Sequence, residues 1–141
     1  MLIGAHVSTG GGLPKTIERG IERDCDAIQI FHQSPRMWRP TAYTDDDFAA
    51  FRYVMKHSPI EAVVIHAVYL INAASKEREI RRKSLTSLKQ ALRVGDGIGA
   101  SGVILHAGAR KGEPHGPSVK RAGKVIREAL ESSVQIGRAH V

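Results

Sequence analysis

The stretch "VVIHAVYLIN", residues 63–72, opens as a buried strand and ends as something else. Val63, Val64 and Ile65 are apolar and β-branched, as in a strand of a parallel sheet, and His66 follows them with no turn residue between. Tyr69, Leu70 and Ile71 would resume the apolar run, but Asn72 and Ala73-Ala74-Ser75 break it. A strand that delivers an imidazole at its carboxyl end and then places large side chains in a loop has the form expected where parallel α/β proteins assemble their sites.

Working outward, the same unit recurs. Residues 2–7 read as a short strand, followed by "STGGGLP" with Pro14 placed to start a helix striped by Ile17 and Ile21. Residues 27–31 form a second strand, and "HQSPRMWRPTAY" is a loop. Thr44 caps a helix with Asp45, Asp46 and Asp47 in its first turn and Phe48, Phe51 and Met55 on its apolar stripe. After the third strand, residues 62–65, a long helix carries Ile80, Leu85, Leu88 and Leu92. Gly95, Gly97 and Gly99 predict fraying at its end, since each glycine costs ~1 kcal/mol against alanine inside a helix. Residues 102–105 are a fourth strand, "HAGARKGEPHGP" a loop, and Val119, Ala122, Ile126 and Leu130 the stripe of a last helix.

Strand and helix thus alternate four times, the signature of parallel βαβ units, and the continuously apolar strands predict cover on both faces. Two closures satisfy this order: an open doubly wound sheet, or part of a (β/α)8 barrel, of which four units are half.

At 141 residues the chain suffices for one domain, with 42% hydrophobic and 25% charged residues. No apolar run approaches the ~20 residues of a membrane span, and the N-terminus lacks a signal-peptide layout. The single Cys25 excludes an intramolecular disulfide and suits a reducing, cytoplasmic setting; its place before an apolar run predicts a small core residue. The net charge is +7, and between Lys76 and Arg93 seven basic residues face only Glu77 and Glu79. That surplus suits a polyanionic partner, with a solvated helix face as the alternative.

His6, His66 and His106 close the first, third and fourth strands, and His32 follows Phe31 on the second. Imidazoles so placed serve as metal ligands, general bases or hydrogen-bonded core residues. Neighbouring strands lie ~4.8 Å apart, so His66 and His106 can share one ion. Two ligands do not hold zinc, and Glu113 and His115 are the loop candidates for another. "STGGG" is either a phosphate cradle or a tight turn. Trp38 between Arg36 and Arg39 is either a stacking face beside two guanidiniums or a ring that tucks the loop onto the sheet.

Four segments together, "IGAHVSTGGGL" (3–13), "AIQIFHQSPRMWRP" (27–40), "VVIHAVYLINAAS" (63–75) and "VILHAGARKGE" (103–113), resemble the endonuclease IV family of abasic-site DNA repair enzymes. The resemblance runs from residue 2 to about residue 131, and the ordered combination is specific where no single motif is. It implies a (β/α)8 barrel with a three-zinc cluster that cleaves the phosphodiester 5′ to abasic sites in double-stranded DNA and trims blocked 3′ ends. His66 and His106 match zinc ligands that share one ion. Arg36, Tyr69 and Leu70 match side chains that enter the DNA beside the extruded nucleotide, and His6 matches a mouth-lining position that binds no metal. The chain departs from the pattern at Ala107, Ala109 and Arg110, and at Val68.

The expected fold is therefore α/β, parallel units forming the first half of a TIM (β/α)8 barrel and ending after about four of them, over residues 1–133. The family's further zinc ligands, beginning with a Glu-Asn-Thr motif, have no counterpart here. "QIGRAHV", residues 135–141, matches what a sequencing adapter encodes in one reading frame, and residues 134–141 are expected to be a non-native tail. On this reading the isolated chain is inactive and prone to self-association, whereas the complete enzyme is monomeric. A sugar isomerase or epimerase of the same barrel superfamily, and a non-catalytic nucleic-acid-binding half-barrel, are the alternatives.

Overall fold

A computed structural model describes the backbone of residues 1–137 and the side chains through residue 133. Its elements are β1 (Gly4–His6), α1 (Pro14–Ile21), β2 (Ala27–Phe31), α2 (Asp45–Lys56), β3 (Ala62–His66), α3 (Arg78–Ile98), β4 (Gly102–Ile104) and α4 (His115–Gly137). The strands form one sheet in the order β1-β2-β3-β4, every pair parallel, which is half of a TIM barrel. The backbone of α4 continues into the expected non-native tail, 134–141, whose last four residues lie outside the described ones. No described helix is long and apolar enough to cross a membrane.

The sheet is not covered equally on its two faces, contrary to the expectation from its apolar strands. Ile28 and Ile30 of β2 and Val63 and Ile65 of β3 are buried under the helices. The alternate residues Ala27, Gln29, Phe31, Ala62, Val64 and His66 are only half-buried on the concave face. Successive side chains of a strand point to opposite faces, so each strand serves core and concave surface in turn.

The helices are set by local chemistry at their ends and by close contact at their middles. Thr44 Oγ1 accepts from the Asp47 N–H at 3.2 Å while Asp47 Oδ2 accepts from the Thr44 N–H at 2.8 Å, a capping box that starts α2. The expected fraying of α3 does not occur. The helix holds to Ile98 and ends on Gly99 at φ +70°, the left-handed conformation that glycine adopts without a Cβ penalty. Gly97 belongs to the packing instead, because a Cβ there would fall 2.4 Å from the Phe48 ring. The buried face of α3 is Ser84, Ser87, Leu88, Ala91, Val94 and Ile98, richer in small residues than the leucine stripe suggests.

The phase of α4 also differs from expectation. Ser118, Ala122, Val125 and Ala129 face inward, whereas Val119 and Leu130 are exposed. Small side chains allow close approach: Ala122 and Val125 meet Ala73, Ala74 and the half-buried Leu85 of α3, while Ile126 packs half-buried against the core and Val119 and Leu130 are left outside.

His32 sits on the helix-covered side, fully buried. Its Nε2 lies 3.1 Å from Ser87 Oγ, that hydroxyl reaches Gln33 Oε1 at 3.4 Å, and Gln33 Nε2 donates to the Met37 carbonyl at 2.8 Å. This network pins the loop after β2, where Trp38 packs half-buried against the core, the tucking role rather than the stacking one. Burial is the main cause that pushes the His32 pKa from 6.5 down to about 4, opposed by the Gln33 side chain and the His66 backbone.

These contacts set two expectations for stability. Gly97→Ala overpacks Phe48 and costs about 1–3 kcal/mol in urea unfolding, while Gly123→Ala in α4, with open space around it, stabilises by about 0.5–1 kcal/mol. Equal effects of the two substitutions would contradict the packing assigned to α3. For His32, the unfolded chain binds a proton between about pH 6.5 and 4 that the folded chain does not. Stability from this group is complete above pH 6.5 and falls with acid through that window, by on the order of 2–3 kcal/mol. His32→Gln flattens that acid slope; an unchanged slope between about pH 7 and 4.5 would assign it elsewhere.

Candidate functional site

The concave face carries polar residues in rows set by the strand register. His6 pairs with Gln29 across β1 and β2, and Phe31 pairs with His66, which pairs with Ile104 on β4. His106 lies two residues beyond Ile104, so alternation returns it to the same face. The rings then gather: His66 and His106 have centroids 5.2 Å apart, and His6 and His66 6.3 Å apart. Phe31 is the common neighbour, 4.4 Å from His6, 5.4 Å from His66 and 6.0 Å from Tyr69.

Hydrogen bonds give the histidines different chemistry. His66 Nδ1 lies 2.7 Å from the Ala67 carbonyl oxygen. A carbonyl only accepts, so Nδ1 carries the proton and Nε2 keeps its lone pair. For His6 the reverse holds: the Gln29 amide nitrogen donates to Nδ1 at 2.8 Å, which occupies that lone pair and leaves the proton on Nε2. Burial first, and then the neighbouring His66, lower the His6 pKa and favour its neutral form.

The pair His66 and His106 has the spacing of two ligands on one ion. Zn–N bonds of about 2.0–2.1 Å at tetrahedral angles place imidazole centroids about 5 Å apart. The loop candidates for a further ligand are not brought in. Glu113 is engaged by Lys76 Nζ at 3.0 Å, and His115 is exposed at the first residue of α4. Among the described residues no group of three or more His, Cys, Asp or Glu could hold a metal ion.

The loops around the pair are anchored from within. After β3, Val68 and Ile71 are buried and Leu70 is half-buried against the core, while Tyr69 is 61% exposed. Arg36 lies exposed on the loop after β2, beside the exposed Met37. "STGGG" forms a tight turn, with the Gly12 N–H on the Thr9 carbonyl at 3.1 Å and positive φ at Gly11 and Gly12. Much of the basic run is engaged within the chain. Arg82 and Lys83 pair with Glu79, Arg81 donates to the Ser75 and Lys76 carbonyls, and Arg93 lies over the Phe48 ring.

Gln29 and Phe31 escaped the sequence reading as site residues. The signal available was Gln29 itself, a polar residue in an otherwise apolar strand, which marks the face shared with Phe31.

Known proteins share this fold and parts of this sequence. A profile of the xylose isomerase-like TIM barrel family matches residues 18–137. A probable endonuclease 4 of Geobacter sp. (strain M21) is 33% identical over 120 residues, which is 85% of this chain and 42% of that protein. The crystal structure of endonuclease IV from Thermus thermophilus superposes with a TM-score of 0.83 at 32% identity, over 94% of this chain and 47% of that one. A D-tagatose 3-epimerase-like protein reaches a TM-score of 0.67 at 16% identity, over 96% of this chain and 50% of that one, a likeness of fold alone. The chain spans about half the length of these relatives. It belongs to the xylose isomerase-like TIM barrel family, on that family's endonuclease IV side.

Proposed function

We propose that this chain carries part of a zinc-dependent DNA repair endonuclease that cleaves the phosphodiester 5′ to abasic sites in double-stranded DNA. The observation that carries the reading is the approach of His66 and His106 to 5.2 Å beside the exposed Tyr69. Likeness to endonuclease IV in both sequence and structure supports it.

On this reading His66 and His106 hold one zinc ion. Zinc there supplies Lewis acidity for phosphodiester hydrolysis. The chain's own residues bind and orient. The Ala67 carbonyl holds the His66 ring by its Nδ1 proton, so that Nε2 presents its lone pair. His6, kept neutral and bonded to Gln29, lines the mouth without competing for the metal. Tyr69, propped on Phe31, and Leu70 enter the base stack next to the extruded abasic nucleotide, which offsets part of the unstacking cost. Arg36 pairs with the DNA from the loop after β2. Among the described residues no third ligand joins His66 and His106, so on this reading the pair is a metal-binding half-site.

Three outcomes test this. Incubated with an abasic duplex, with and without EDTA, the chain cleaves more than roughly 100-fold more slowly than a complete endonuclease IV, because its described residues bring only His66 and His106 together as a metal pair. Cleavage within that factor, or tight uptake of three zinc ions per chain, would overturn the half-site reading. In fluorescence anisotropy, Tyr69→Ala with Leu70→Ala weakens binding to an abasic duplex about tenfold and leaves intact duplex unaffected. On size-exclusion chromatography the chain self-associates, since among the described residues the outer edges of β1 and β4 are unpaired; a sharp monomer peak would contradict this.

A further inference from the structure

We propose that Asn72 is a positioning residue, the clasp by which the loop after β3 holds the loop after β4 and so sets the distance from His66 to His106. The inference rests on the reading of those histidines as a metal pair. The backbone of Asn72 is itself fixed from α3, because its N–H donates to the buried Ser84 Oγ at 2.9 Å. Its side-chain Nδ2 donates to the Ala109 carbonyl at 3.0 Å, and the N–H of Ala73 donates to the Ala107 carbonyl at 3.0 Å. Two hydrogen bonds from consecutive residues thus grip the three residues that follow His106.

Between those two bonds lies Gly108, at φ +114°. A Cβ there would stand 2.1 Å from Asn72 Oδ1 and 2.8 Å from its Cα, so the two residues are in direct contact and only glycine fits. The buried Oδ1 has no hydrogen-bond partner among the described residues, which leaves the carbonyl end of the amide against Gly108 and the amino end for Ala109. Outside the clasp the same two loops are joined by the ion pair of Lys76 and Glu113, both partly open to solvent and therefore weakly stabilising. His106 itself follows a strand of only three residues, so its position depends on what holds residues 107–109.

The test uses the full chain and Co2+ alone as probe, followed by its visible absorption, with His66→Ala as the variant that removes the pair. Asn72→Ala and Gly108→Ala each lower Co2+ affinity roughly 10–100-fold, the range for residues that orient metal ligands. In the Asn72→Ala background Gly108→Ala costs less than it does alone, because the Oδ1 and Cγ it would strike are gone while the Asn72 Cα at 2.8 Å and the positive φ remain; this sub-additivity distinguishes a clasp from general loss of stability, which adds. Independently of metal, amide exchange at Ala73 accelerates in both variants while exchange at Ala67, bonded to the Ile104 carbonyl at 2.9 Å, does not. Additive losses, or Co2+ affinity within about threefold of the parent together with unchanged Ala73 exchange, would overturn the proposal. A parent chain that takes up no Co2+ through His66 refutes the metal-pair reading instead, and the Ala73 exchange of the two variants then decides the clasp alone.

Discussion

The register between β2 and β3 is the constraint on which the rest depends. Phe31 faces His66 across that pair, and the alternation of side chains puts Ile30 and Ile65 on the opposite, helix-covered face. A slip of one residue would exchange the two sets. Ile65 would then lose the roughly 1.5–3 kcal/mol of a buried aliphatic side chain, and an imidazole would enter the apolar layer. The hydrophobic layer under the helices therefore specifies where the polar rings stand on the other side. His66, His6 and, through β4, His106 converge because Ile28, Ile30, Val63 and Ile65 are buried.

The second support is α3, which lies behind the sheet with a face of small residues. Its serines do more than permit close packing. Ser87 bonds to His32 and Gln33, which secures the loop carrying Arg36 and Trp38; Ser84 bonds to the backbone of Asn72, which secures the loop carrying Tyr69 and Leu70. One helix thus holds two of the loops that frame the concave face. The two histidines that follow β2 and close β3 show how burial divides roles. His32, enclosed, is kept neutral down to about pH 4 and is structural, while His66, half-buried with its Nδ1 held by the Ala67 carbonyl, keeps the Nε2 lone pair and stands 5.2 Å from the His106 ring.

Sequence likeness and site geometry complement each other. The similarity to endonuclease IV spans nearly the whole chain, whereas the epimerase-like barrel shares only the fold. On the proposed reading, the loops after β2 and β3 separate these two chemistries, because an exposed tyrosine on an aromatic prop and the exposed Arg36 suit a polyanion better than a small sugar. The general basic charge contributes less to that distinction, since Arg82, Lys83 and Arg93 are satisfied within the chain.

The alternation of elements, the parallel sheet, the Thr44 cap and the histidines at strand ends were all legible in the sequence, because each depends on spacing along the chain or on one residue and its near neighbours. The four-motif resemblance likewise lay in the sequence. Three features were not legible: the one-sided cover of the sheet, the phase of α4 and the purpose of Gly97. A glycine in a helix looks like a defect until Phe48, distant in the chain and on another helix, is seen to occupy the space its Cβ would need. The tie between Asn72 and Gly108 is of the same kind. Sequence periodicity determined which residues could share a face; only tertiary structure decided which distant partner filled each space, because close contact is a property of pairs that the chain order does not record.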